Sequence, residues 1–310
     1  MAEFPLTMIN PSAIGRANIA ATSVVETAPQ YAAGNTYNSG DTVQLGDYVY
    51  ECTATAPATT TVNPATAVAN QTGEWVDIDV INPLRAFNGS VSNYASASGN
   101  LTYTINGLGS IDSIAFFELQ ASEVRVDITV AGVSVYSSSL NLISKLKISN
   151  WYQYLFNRHP PAIRSAVFNG IPQTAAGGDI HITIVGSNTR VGEIAIGTGY
   201  AFGEVLLDDG TVRGRDTYGA IITDDFGIAR TIDRKEYDYM KYKIALDPSE
   251  CAEFLRFMGE RASKFTVFHV DNSAPNYELY TIFGYVTGPV EIPLGHRNNV
   301  TCTIETIGVT

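Results

Sequence analysis

Most of this chain alternates apolar and polar residues in short runs that end at Gly- or Ser-containing turns. The stretch VRVDITVAGVSVYSS is the clearest example. Val124, Val126 and Ile128 fall on one side of a predicted strand, and Ala131-Gly132 then reverses the chain. A period of two residues is typical of a half-buried strand. The pattern therefore predicts a mainly β protein, and it favours a sandwich or jelly roll over a parallel α/β sheet, which would need helices between the strands.

The pattern also divides the chain into segments. One amphipathic helix is predicted in DPSECAEFLRFMGERASK, with Asp247 as its cap and Pro248 in its first turn. We expect this helix to lie on an antiparallel sheet in an α+β domain. The predicted segments are an N-terminal arm (1–29), a small β unit (30–81), a β-sandwich or jelly-roll-like domain (82–200) and the C-terminal α+β domain (201–310).

Charge and apolar content limit the possible partners. The chain has 19 basic and 31 acidic residues, a formal net charge of −12, and no basic patch that would attract a phosphate backbone. Its longest apolar runs are shorter than the roughly 20 residues of a membrane helix. We therefore expect no nucleic-acid partner, no membrane insertion and synthesis in the cytoplasm. The three widely separated cysteines argue against a disulfide framework or a metal knuckle, so we expect reduced thiols.

No arrangement of residues predicts an enzyme, a cofactor site or a metal site. The chain lacks a nucleophile elbow and a phosphate-binding Gly-rich loop, and its four histidines lie far apart. The pairs Asp208-Asp209 and Asp224-Asp225 are candidate carboxylates for glycoside hydrolysis. However, adjacent residues of a strand point to opposite faces, and Asp-Asp-Gly is a common hairpin turn. A polysaccharide hydrolase using Asp208 and Asp225 is therefore kept only as an alternative.

The stretch from 31 to 75 spaces aromatic residues around two Gly-Asp pairs, as in YAAGNTYNSGDTVQLGDYVY. Its few aliphatic residues suggest that Tyr37, Tyr48, Tyr50 and Trp75 supply much of a small core. The order of residues resembles chitin-binding-type modules of carbohydrate-binding families 5 and 12, which occur on chitinases and on many phage tail proteins. This resemblance implies that Tyr31, Tyr37 and Trp75 stack on a sugar, although the opening aromatic is Tyr31 where the family usually has Trp. The alternative is that the rings only form the core.

Nearly the whole chain resembles, in the same order, tail-tip and baseplate proteins of tailed bacteriophages. The segments INPSAIGRANIAATS, EWVDIDVINPLRAFNG, GEIAIGTGYAFGEV and RDTYGAIITDDFGIARTIDRK carry this resemblance together with the small β unit. It implies a structural virion protein, made in the host cytoplasm, that assembles with other tail proteins and contacts host-surface glycans. A carbohydrate-binding adhesin is the second alternative.

A symmetric tail also implies a homo-oligomer, and several small β units leave strand edges to be covered. We expect contacts between subunits at the N-terminal EFPLTMINPSAIG and at the aromatic stretch NWYQYLFNRHPP. The contact residues predicted in the second stretch are Trp151, Tyr152, Tyr154 and Phe156. The alternative is that both segments pack on their own chain.

Overall fold

The fold is mainly β, as the sequence predicts, with 50% of residues in strands and 12% in helices. A computed structural model describes residues 4–55, 59–143, 150–151, 163–207, 210–223, 226–227, 229–270, 277–293 and 300–309. Within these ranges, no helix is long and apolar enough to cross a membrane.

The strands fall into one large antiparallel sheet and several smaller sheets. In chain order they are β1 (Leu6–Pro11), β2 (Ile19–Thr22), β3 (Tyr37–Asn38), β4 (Thr42–Leu45), β5 (Tyr48–Cys52), β6 (Thr59–Thr60), β7 (Trp75–Val80), β8 (Ala95–Ser98), β9 (Leu101–Ile105), β10 (Ser113–Phe117), β11 (Glu123–Val130), β12 (Val133–Asn141), β13 (Ala166–Phe168), β14 (Asp179–Val185), β15 (Asn188–Val191), β16 (Glu193–Phe202), β17 (Glu204–Val205), β18 (Val212–Thr217), β19 (Ala220–Thr223), β20 (Ala229–Ile232), β21 (Glu236–Leu246), β22 (Thr266–Val270), β23 (Ile282–Thr287) and β24 (Val300–Gly308). The helices are α1 (Pro64–Ala69) and α2 (Cys251–Glu260), with 3-10 turns at Arg16–Asn18, Asn82–Phe87, Gln173–Ala175 and Tyr277–Tyr280.

The small N-terminal unit consists of the sheet β4-β5-β7, the pair β3-β6 and helix α1. Its core contains Tyr50, Cys52 and Trp75, so aromatic rings supply much of it, as predicted. Tyr48 does not belong to this core and is 46% exposed. Both faces of β5 are covered, since Val49 packs against Ile81 and Leu84 and Tyr50 lies in the core of the small unit, whereas Tyr48 at the start of the strand is exposed.

The middle of the chain forms a β-sandwich. One layer is the sheet β12-β11-β14-β9-β2, and the strands β13, β10 and the first half of β16 supply the facing residues of the shared core. The predicted hairpin is present as β11 and β12, with Val124, Val126 and Ile128 fully buried. Ala131 and Gly132 form its turn with positive φ angles of 50° and 80°.

The C-terminal part is a closed barrel. The large sheet runs β16-β1-β22-β23-β24-β21-β17, and because β17 continues β16 after a bend, the path returns to its first strand. The bend is at Gly203, which has a positive φ of 46°. A Cβ atom there would lie 2.3 Å from the carbonyl oxygen of Ala245, so only glycine fits.

The N-terminal segment is not the predicted arm. Strand β1 lies inside the large sheet, paired on one side with β16 and on the other with β22, and its Leu6, Met8 and Ile9 are fully buried. Strand β2 joins the five-stranded sheet of the sandwich. The described residues of this segment, 4–29, are therefore divided between the two cores, and the predicted boundary at 200/201 falls inside β16.

Helix α2 covers the barrel core with Phe254, Phe257 and Met258. It begins at Cys251 and not at the predicted cap. The Asp247 carboxylate instead accepts hydrogen bonds from the backbone N–H and hydroxyl of Ser249, at 2.8 and 2.6 Å, which forms a turn before the helix.

The sequence also predicts a hairpin turn at Asp208-Asp209-Gly210. Asp208 and Asp209 of the predicted turn lie outside the described residues, and the strands before and after them, β17 and β18, each pair with β21. Both lie along the same edge of one long strand.

Candidate functional site

The three predicted sugar-stacking residues do lie together. The rings of Tyr31 and Tyr37 stack with centroids 5.4 Å apart, and Tyr37 meets Trp75 edge-on, also at 5.4 Å. Trp75, however, is buried in the core of the small unit, and its indole N–H donates to the carbonyl of Val62 at 3.0 Å. It cannot stack on a sugar, because no face of its ring reaches solvent. Of the predicted site, only the half-buried Tyr31 and Tyr37 can offer ring surface to a ligand.

The predicted assembly contacts have different outcomes. Trp151 is 75% exposed, whereas Tyr152, Tyr154 and Phe156 lie outside the described residues. The N-terminal segment is not available for contacts between subunits along β1, because that strand is paired on both sides within its own sheet.

The candidate catalytic carboxylates Asp208, Asp209, Asp224 and Asp225 lie outside the described residues. In the part of the chain that the structure describes, no three His, Cys, Asp or Glu side chains are close enough to hold a metal ion. The cysteines at 52, 251 and 302 are free thiols, and the first and last are buried.

The feature that stands apart from the fold is a two-stranded ribbon within residues 218–235, a segment that we call the arm. Strands β19 and β20 pair with each other as a separate two-stranded sheet, and every residue of both strands is exposed. Ile221 is 73% and Ile222 55% exposed. Because consecutive strand residues point to opposite faces, both faces of the arm present an apolar side chain to solvent.

The base of the arm is held firmly. The rings of Tyr218 and Tyr237 lie 4.5 Å apart, and the backbone N–H of Tyr218 donates to the carbonyl of Lys235 at 3.0 Å. The ammonium of Lys235 donates to the hydroxyl of Ser92 at 2.8 Å, which joins the arm to the sandwich. The arm therefore projects from an anchored base.

Charged groups next to this base form a paired network. Asp238 accepts hydrogen bonds from Arg213 at 2.6 Å and from Arg215 at 2.8 Å. Burial by itself would raise the pKa of the Asp238 carboxyl, but the hydrogen bonds from Arg215 and Arg213 outweigh it, so the pKa is lowered. Arg213 also donates to the carbonyls of Glu278 and Leu279, at 3.0 and 3.1 Å. These arginines fix β18 and the 3-10 turn beneath the arm, so their geometry is that of a structural clamp.

A cleft of about 1220 Å³ lies beside this clamp, between the sandwich and the barrel. Its apolar lining includes Phe117 and Phe283, whose rings stack at 5.6 Å. A second cavity of about 520 Å³ lies on the sandwich, and Tyr94 and Arg190 line both.

The arm was not identified as a functional element from the sequence. Its signal was present in RDTYGAIITDDFGIARTIDRK, where two short β-favouring runs flank a polar turn. The sequence could not show that neither face of this ribbon would be covered by the rest of the chain.

Comparison of the chain with protein-family models, curated proteins and solved structures gave no match.

Proposed function

We propose that this chain is a non-enzymatic structural subunit of a bacteriophage tail tip or baseplate, which assembles with copies of itself and with other tail proteins. The arm is the observation that supports the proposal most directly. A two-stranded ribbon is marginally stable alone in water, and exposed isoleucines on both faces add an aggregation hazard. A partner that covers both faces of the arm would remove both problems.

A second copy of the same chain is the partner that fits the charges. The arm contains three basic and three acidic residues, whereas the whole chain has 19 basic and 31 acidic residues. The arm is thus a locally neutral part of an acidic molecule, and it can approach another acidic copy without strong repulsion, which salt also screens beyond about 8 Å. An arm that inserts into the next copy makes a head-to-tail contact, and such contacts close into a ring when the rotation allows it. A ring fits the symmetric tail that the sequence resemblance implies.

The assembly test replaces an exposed isoleucine of the arm with a charge. We expect the unaltered protein to form a closed ring or a trimeric stalk in negative-stain micrographs and a discrete oligomer in sedimentation velocity. Ile221→Asp should remain monomeric, because burying an unpaired carboxylate in the contact is costly. Val133→Asp is the matched control: Val133 is 66% exposed at the hairpin turn of the sandwich, and its replacement should leave assembly unchanged.

The virion provides the decisive measurement. We expect the protein in purified phage particles at a copy number that matches the tail symmetry. Its absence from virions by mass spectrometry, or its presence as one unsymmetrical copy, would contradict the proposal. Micrographs that show only single, unassociated particles at every protein concentration, both alone and with purified tails, would favour the adhesin alternative.

A further inference from the structure

The ribbon formed by β8 and β15 presents a polar face to solvent. Its register pairs Ser98 with Asn188 and Ser96 with Arg190. The alternate residues of both strands, such as Ala95 and Val191, point into the sandwich core. The outward face therefore carries four polar side chains in two neighbouring rows.

These side chains line a cavity of about 520 Å³, together with Tyr94, Gln120 and several hydroxyl groups. Within the described part of the chain, the side chains of Gln120, Asn188 and Arg190 make no hydrogen bond to another residue. An amide offers both donors and acceptors, and a guanidinium offers a fork of donors. This cavity, which we call the groove, thus contains both donors and acceptors that are free to bind a ligand.

Tyr94 supplies an aromatic surface at one end of the groove. Its side chain is 43% exposed, and the guanidinium carbon of Arg190 lies 4.8 Å from the centre of its ring. This cation–π contact fixes the ring and covers one face of it. The ring also lines the cavity, and its exposed part is available to a ligand.

No carboxylate lines this groove among the described residues, although the chain has a net charge of −12. A ligand here meets one positive charge, neutral amides and hydroxyls, and the exposed part of one aromatic ring. Sugars match this set, since each ring offers many hydroxyl groups and an apolar face of C–H groups.

We propose that the groove between Tyr94 and Asn188 is an oligosaccharide-binding site, in which the ring of Tyr94 stacks on a sugar and Asn188, Gln120 and Arg190 bind its oxygens. Arg190 would take either a pair of neighbouring hydroxyls or a sugar carboxylate, whose planar geometry suits a guanidinium. This site replaces the buried Trp75 as the centre of glycan contact. It deepens the host-contact part of the proposed function, and its saccharide chemistry can be tested in the isolated chain, independently of assembly.

The test uses soluble saccharides and the full-length protein. Two probes are compared by NMR: N-acetylglucosamine oligomers, which are neutral, and oligogalacturonate, which carries carboxylates. We expect one or both to shift the amide signals of β8 and β15, and Tyr94→Ala to weaken binding about tenfold through loss of the apolar ring face. Arg190→Lys distinguishes a bound carboxylate from bound hydroxyl groups. If Arg190 binds a carboxylate, losing the guanidinium fork should weaken oligogalacturonate binding more strongly than binding of the N-acetylglucosamine oligomers. Tyr48→Ala is the control, since Tyr48 is similarly exposed at 46% but lies in the small unit.

Two results would overturn this site. One is that neither saccharide shifts the β8 and β15 signals at 10 mM, a concentration well above weak-site affinities. The other is that binding persists in Tyr94→Ala but is lost in Tyr31→Ala, which would place the sugar on the small unit. Neither result bears on the measurements of oligomer formation or of copy number in the virion. Failure of the binding-site proposal and failure of the assembly proposal can therefore be distinguished.

Discussion

Glu193 should make the stability of this protein fall as the pH rises through neutrality. The residue opens strand β16, which belongs to both the sandwich and the barrel, and it is only 5% exposed. One carboxyl oxygen accepts a hydrogen bond from the backbone N–H of Gly89 at 2.9 Å. No cation among the described residues forms a salt bridge with this carboxyl group. Burial therefore raises the pKa of Glu193 to about 8, and the Gly89 hydrogen bond lowers it only in part.

The sign and size of the effect follow from linkage. Below pH 4.5 the carboxyl is protonated in both the folded and the unfolded chain, and its contribution to stability is fully present. Above that pH the unfolded chain releases the proton, whereas the folded chain keeps it until about pH 8. The free energy of unfolding therefore falls by about 1.4 kcal/mol per pH unit in this window. The loss is about 3 kcal/mol at pH 7 and approaches about 5 kcal/mol at pH 8 and above.

The variant Glu193→Gln removes this dependence, because glutamine keeps the shape and the acceptor oxygen and does not titrate. We expect the difference in unfolding free energy between variant and parent to shift by about 3 kcal/mol in favour of the variant between pH 4 and pH 7. Urea unfolding at fixed ionic strength measures the free energy of unfolding of each protein. Following how the variant–parent difference changes with pH removes any packing effect of the substitution that does not depend on pH. Glu123→Gln is the control with the opposite sign: the hydrogen bond from Arg125 lowers the pKa of Glu123, so this variant should lose stability relative to the parent as the pH rises. A Glu193→Gln difference that stays constant from pH 4 to pH 8 would refute the argument.

Two further predictions concern the small unit and the thiols. Trp75→Ala should unfold the small unit alone, because losing this buried ring costs roughly 3 to 5 kcal/mol, while Tyr48→Ala should melt like the parent. Calorimetry that shows the full set of transitions for Trp75→Ala would contradict this prediction. At pH 8 a thiol reagent should label Cys251 first in the folded protein, because Cys52 is buried and burial raises the pKa of Cys302 to about 11. Rapid labelling of all three thiols before denaturant is added would contradict this, since it would show that the reagent reaches both cores.

Local alternation was enough to predict the strands but not their partners. The hairpin of β11 and β12 could be read from the sequence, because its pairing is between neighbours and its turn residues lie between them. Strand β1 could not, because LTMINP contains only a short alternation and its partners β16 and β22 are almost 200 and 260 residues away. The N-terminal segment has no partner strand nearby in the sequence, and it was therefore predicted as an extended arm at 1–29.

The candidate sites show the same limit. The aromatic spacing of the small unit correctly brought Tyr31, Tyr37 and Trp75 together, but ring spacing does not distinguish a core from a stacking platform. The polar face of the β8-β15 ribbon comes from two segments about 90 residues apart, Ser-Ala-Ser at 96–98 and Asn-Thr-Arg at 188–190. Each alone resembles an ordinary edge strand, and only their pairing aligns the polar rows beside Tyr94.

The arm and the groove are neighbours in the fold, which suggests how proposed assembly and recognition would work together. Lys235 at the base of the arm contacts Ser92, two residues before Tyr94. An open groove with one aromatic ring supports only weak binding, in the region of 0.1 to 1 mM per copy, or roughly −4 to −5.5 kcal/mol. Copies held together by their arms would present several grooves at a fixed spacing, and a repeating surface polysaccharide could occupy them at the same time. Linked sites gain about 10² to 10⁴ in affinity when the spacing fits. Weak single-copy binding is therefore what a ring-forming attachment protein requires, since it releases stray sugars and holds only the repeating surface.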